Sequence, residues 1–130
     1  MLFRSINEAL YLSYLLGLDD AIKRLPDGFD TRVGASETLP AGLRQRIAII
    51  RELIKRPKII LCDDADHALD SDGAARLVSL LHQLSKAATI ILSSGRSQVL
   101  QAASRRLQLS GGRISPISSD TKGRIQGVSR

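Results

Sequence analysis

The feature that most constrains this chain is the run Ile59-Ile60-Leu61-Cys62, followed at once by Asp63 and Asp64. An unbroken apolar run between Pro57 and two acids reads as a strand buried on both faces, as in parallel sheets covered on each side by helices. Acids at the carboxyl end of such a strand stand where open α/β sheets bind their ligands. A carboxylate there can hold Mg²⁺ through water, because Mg²⁺ prefers oxygen donors and keeps part of its hydration shell. On these residues alone a second reading stays open, in which the acids merely end a strand.

The flanking sequence supplies the rest of an α/β layer. Ile6 to Gly17 reads as a helix, with Ile6, Leu10, Tyr14 and Leu18 at helical spacing and Gly17 as its stop. A short helix over Asp19–Leu25 follows, then a Pro26-Asp27-Gly28 turn and a loop from Thr31 to Thr38. A second helical pattern covers Gly42–Lys55, with Ile47, Ile50, Leu53 and Ile54 on one side. Asp70 and Ser71 are N-cap candidates for a helix through Leu84, whose apolar face is Leu77, Leu80, Leu81 and Leu84. Ala88–Leu92 reads as a second buried strand, Ser97–Ala103 as a short helix and Arg105–Leu109 as a third strand. Ser110-Gly111-Gly112 then turns the chain into Arg113–Ser115. Alternating strands and helices predict a parallel sheet.

Composition narrows the function classes. No apolar run approaches the roughly 20 residues that span a bilayer, and no h-region with a cleavage site opens the chain. Net charge is +6, with nine Lys/Arg against four Asp/Glu in residues 66–130. The basic residues are scattered singly without aromatic neighbours, which points to a solvated surface and not to a nucleic-acid partner. The single cysteine, Cys62, has no internal disulfide partner, reads as a buried thiol, and indicates a reducing, cytosolic compartment. His67 and His82 lack Cys or His neighbours at ligand spacing, so no transition-metal site is expected.

Several phrases in register resemble the ATP-binding-cassette (ABC) exporters. Residues 59–70 look like that family's four hydrophobics, Asp-Glu-Ala and Ser-Ala-Leu-Asp. Leu25 to Gly34 resembles the exporter phrase that precedes the signature motif. Leu39-Pro40-Ala41-Gly42-Leu43-Arg44-Gln45-Arg46-Ile47-Ala48 occupies the place of Leu-Ser-Gly-Gly-Gln-Arg-Gln-Arg-Ile-Ala. Ser94-Gly95-Arg96 falls at the family's Ala-His-Arg, and Gly111-Gly112-Arg113-Ile114 at its closing turn. The resemblance covers residues 10–115 and implies the C-terminal half of an exporter nucleotide-binding domain. The implied fold is α/β: a partial P-loop NTPase with part of the helical subdomain and a parallel sheet remnant flanked by helices. Residues 6–56 would be the helical subdomain with the signature region, 57–117 the C-terminal part of the ATPase core, and 118–130 a disordered tail. Met1 to Ser5 matches what a common sequencing adapter would encode and is set apart from the fold.

By the same resemblance, Asp63 would link to Mg²⁺ through water and Asp64 would stand for the glutamate that polarises the attacking water. Asp70 would belong to the loop that touches a partner domain. Leu39, Pro40, Ala41, Gly42 and Leu43 would form the signature loop, a helix N-terminus offered to the γ-phosphate of ATP on the opposite protomer. Gly95 would occupy the position of the switch histidine. ATP and Mg²⁺ are the implied cofactors of the intact domain. The implied partners are a second nucleotide-binding domain, identical or not, and a transmembrane domain, at the cytoplasmic face of the cell (inner) membrane.

The departures bear on activity. Asp64 is one methylene shorter than glutamate, about 1.5 Å of reach, while a base must come within about 3 Å of its water. Pro40 removes a hydroxyl and an N–H but is accepted in a helix's first turn. Ala41 adds a Cβ where backbone would approach phosphate, Leu43 replaces an amide, and Gly95 carries no side chain. No Gly-x-x-x-x-Gly-Lys-Ser/Thr occurs in the 130 residues, so the phosphate-cradling loop is expected upstream of a truncated reading frame. Weak hydrolysis is expected, or else a degenerate cassette that serves as a nucleotide-binding or scaffold dimer partner.

Overall fold

A computed structural model describes residues 2–32 and 39–117. The loop expected over Thr31–Thr38 falls mostly outside the described residues, as does the tail from 118. Helix α1 runs Leu2–Leu15 and therefore includes most of the stretch set apart in the sequence. Gly17, at φ 63, makes the left-handed step into α2, Leu18–Ile22, a conformation glycine adopts without steric cost. A 3-10 turn at Gly28–Asp30 follows. Then come α3 (Ala41–Leu53), β1 (Ile59–Asp63), α4 (Ser71–Leu84), β2 (Thr89–Ser93), α5 (Ser97–Gln101), β3 (Leu107–Ser110) and β4 (Arg113–Pro116).

The stripe expected on α1 does not pack, apart from Leu18, which is buried at the start of α2. Ile6, Leu10 and Tyr14 are exposed, while Leu12 is buried with Leu16 just beyond the helix. The segment is apolar at so many positions that several phases of a 3.6 period fit it, and docking on α3 selects Leu12 and Leu16. Helices α3 and α4 bury the expected sides, with Leu43 added on α3.

The N-terminus of α3 has no side-chain cap; Pro40 is extended, and its carbonyl accepts from the N–H groups of Leu43 at 2.9 Å and Arg44 at 3.1 Å. That of α4 is capped by Asp70, whose Oδ1 accepts from Gly73 N–H at 2.9 Å. This bond, followed by the Arg46 charge, holds the Asp70 carboxyl below its ordinary value. Asp70→Ala should cost about 1 kcal/mol of stability in a urea titration. Because the folded value is depressed, this contribution is complete above the ordinary carboxylate range. It fades as pH falls through the folded value, so the wild-type and alanine curves should converge in acid.

Strands β1 and β2 pair in parallel, from Ile59 opposite Thr89 to Asp63 opposite Ser93, with α4 as the crossover that parallel strands require. The expectation of burial on both faces does not hold for this pair. Ile60 is buried and Cys62 half-buried, but Ile59 and Leu61 are 64% and 74% exposed, and Ile91 shares their open face. Described helices cover one side only. An apolar run reports that a strand is fit for two-sided burial, whereas coverage depends on what packs there.

The third strand departs from the expected parallel sheet, whereas the turn expected at Ser110-Gly111-Gly112 is present. β3 pairs with β4 in an antiparallel hairpin and does not extend the parallel pair. Gly111 and Gly112 both have positive φ, the geometry of a two-residue hairpin turn, and such a turn commits β3 to its immediate successor. Register places Leu107, Leu109, Ile114 and Pro116 on one face and Gln108, Ser110, Arg113 and Ser115 on the other.

One apolar cluster joins the helical first half to the strand-bearing second. Leu12, Leu16, Leu43, Leu53, Ile60, Leu77 and Leu81 are among its buried members.

Candidate functional site

The site grows from the exit of β1. Asp63 is the last strand residue, directly opposite Ser93, and Ser93 Oγ donates to Asp63 Oδ1 at 2.6 Å. Asp64 leaves the strand at φ 47, in the left-handed region that aspartate enters more readily than most residues. Its N–H donates to the Ser93 carbonyl at 3.2 Å and lies 3.3 Å from Ser93 Oγ. Both carboxylates are exposed at the sheet edge. The chain then tightens into a turn in which His67 N–H donates to the Asp64 carbonyl at 2.9 Å and Leu69 N–H to that of Asp66 at 3.1 Å.

Asp66 is the residue that sequence reasoning left without a role. It is 3% exposed, and a carboxylate so buried must be paired. Ser94 Oγ donates to its Oδ2 at 2.8 Å, and Arg96 Nε lies 3.3 Å from the same oxygen. Arg96 also donates through its guanidinium to the Leu69 carbonyl and through its backbone N–H to Ser94 Oγ at 2.9 Å.

The start of α3 packs on this turn. A Cβ added to Gly42 would stand 2.9 Å from the Ala68 carbonyl oxygen, so only glycine allows the approach. Gln45 Nε2 donates to the Ala65 carbonyl at 3.0 Å. Arg46 reaches the Gly17 carbonyl at 3.1 Å and Asp70 Oδ1 at 2.9 Å.

Of the five signature-loop positions, Leu39 and Leu43 place their side chains in the core, and Pro40 and Ala41 are exposed. Leu43 thus packs in the core at the position where the family's phrase has an amide. Gly95 is exposed, and a Cβ built there would meet nothing within 4 Å. These hydrogen bonds join residues 45–46 to 65–70 and residues 93–96 to 63–69; none links the start of α3 directly to Asp63 or Asp64.

Burial, and then the Asp66 charge, push the Cys62 thiol up, which disfavours the thiolate form. No group of three metal-ligating side chains occurs among the described residues. Asp63 offers hard oxygen at a solvent-facing edge, a donor set that fits Mg²⁺ held through water. No described helix is long and apolar enough to cross a membrane.

The class these features define is an α/β segment with a parallel strand pair and paired acids at a strand exit. No protein-family model matches the chain. It is 40% identical over 97 residues to the ATP-dependent lipid A-core flippase of Legionella pneumophila, covering 74% of this chain and 16% of that protein. It is 34% identical over 111 residues to the alpha-hemolysin translocation ATP-binding protein HlyB of Escherichia coli, covering 85% of this chain and 16% of HlyB. A solved bacterial Atm1-family ABC exporter with ATP bound superposes with a TM-score of 0.74 at 33% identity, covering 84% of this chain and 19% of that one. The chain belongs to the ATP-binding-cassette exporter family. It spans 16% of the length of the flippase and HlyB.

Proposed function

We propose that the chain forms part of the ATP-binding and ATP-hydrolysing region of an ABC exporter, at the cytoplasmic face of the membrane, with turnover below that of a consensus cassette. The observation that carries this reading is the pairing of Asp63 and Asp64 at the exit of β1, beside an apolar sheet face open to further packing. Asp63 would hold Mg²⁺ through water, and the ion would neutralise charge on the β- and γ-phosphates. Asp64 would orient the attacking water, from a carboxylate set back by one methylene. Pro40 and Ala41 would face the partner domain's nucleotide with one fewer N–H. Gly95, like Asp64, would serve the chain's own nucleotide and would offer it no side chain.

The test is ATP turnover in Mg²⁺ by the protein carrying this segment. Asp64→Glu combined with Gly95→His should raise the rate by at least about tenfold, against ~10²–10⁴ for a well-placed general base; a Cβ at residue 95 meets nothing within 4 Å. Asp63→Asn should abolish turnover. A starting rate equal to a consensus cassette, or one indifferent to Asp63→Asn, would overturn the reading.

A second reading has its own support. Five positions depart from the family's pattern, Pro40, Ala41, Leu43, Asp64 and Gly95, and all would weaken chemistry, while the apolar cluster is packed. That pattern suits a cassette kept as a nucleotide-binding or scaffold partner in a dimer. ATP bound without turnover, even after Asp64→Glu and Gly95→His, would favour it.

A further inference from the structure

We infer that Asp66, Ser94 and Arg96 form a latch that makes the turn after β1 and the loop after β2 a single unit, with Asp66 as the positioning residue for the loop that carries residue 95. The acid is nearly inaccessible, yet both of its side-chain partners come from the other loop, 28 and 30 positions along the chain. Arg96 closes the unit by binding the Leu69 carbonyl at the far end of the turn. Ser94 and Arg96 flank Gly95, which itself touches nothing through its side-chain position. Residue 95 is therefore delivered by its neighbours. A buried carboxylate with its hydrogen bonds made is costly to open on one side only, because losing a partner strands its oxygen away from water. Opening of either loop should accordingly be opening of both.

Amide hydrogen exchange on the full chain tests this, without nucleotide. Arg96→Gln and Asp66→Asn should each speed exchange at His67 and Leu69 in one loop and at Arg96 or its substitute in the other by roughly tenfold. Leu77 to Leu81 in α4 should be unchanged. The double variant should exchange no faster than the faster single one, since the second substitution breaks a latch already open. Arg96→Lys should fall between wild type and Arg96→Gln, keeping the charge but not the second bond. Unmoved His67 and Leu69 amides in Arg96→Gln would overturn the inference, as would a double variant whose factor equals the product of the singles. Should Asp66→Asn not fold, Ser94→Ala replaces it, and Arg96, with a side chain 35% exposed, remains substitutable. The inference rests on the proposed nucleotide reading only for the role of residue 95, so a failed ATP assay leaves the latch standing and a failed exchange experiment leaves that reading standing.

Discussion

Leu77→Ala is expected to lower the free energy of unfolding by about 3–4 kcal/mol, as for other fully buried leucines cut back to alanine. Leu77 is 2% exposed on the inward face of α4. It belongs to a buried cluster that also draws on α1, α3 and β1, elements held in place by their own helices and by the parallel pair. They cannot all close on the vacated volume, so a cavity cost adds to the lost transfer energy. With domain stabilities of about 5–15 kcal/mol, that is a large fraction of the whole. A urea titration measures it through the midpoint at constant slope. A loss below about 1 kcal/mol would mean that α4 is not the centre of the core.

The second large effect is expected at Arg46, where alanine should cost about 2–3 kcal/mol, the range for hydrogen bonds to charged groups that leave partners stranded. Its side chain is 13% exposed and spans three elements: it projects from α3, takes the Gly17 carbonyl between α1 and α2, and takes the Asp70 cap of α4. Removing it leaves the Gly17 carbonyl with one acceptor site unfilled and Asp70 with only the Gly73 N–H. Two measurements distinguish this from a simple loss of packing. The melting temperature should fall, and the Asp70 carboxyl, followed by NMR, should move part of the way back toward its ordinary value. An Asp70 titration unchanged in Arg46→Ala would show that the Arg46 charge does not reach the cap.

Much of the site was legible because strong local chemistry sets it. The apolar run ending in Asp63 and Asp64 became a strand with acids at its exit, and Asp70 became an N-cap, since both follow from residue type at short range. What was not legible depends on distant partners. Ile6, Leu10 and Tyr14 had the right period but the wrong phase, and only the position of α3 decides the phase. Ile59 and Leu61 had the composition of two-sided burial without a described partner on their side. Asp66 and Leu43 show the same limit in opposite senses: an acid drawn inside by Ser94 and Arg96, and a leucine in the signature-like phrase that belongs to the core.

The left-handed backbone at residue 64 also weighs on what the chain can become. At such a φ any Cβ crowds the following carbonyl oxygen; glycine escapes this, and asparagine and aspartate offset it through local hydrogen bonds that longer side chains do not make as readily. Substitutions at this corner therefore have an uneven landscape. Asparagine and glycine lie on the gentle slopes, and each discards the negative charge, while the step back to glutamate climbs against the main chain even as it regains reach.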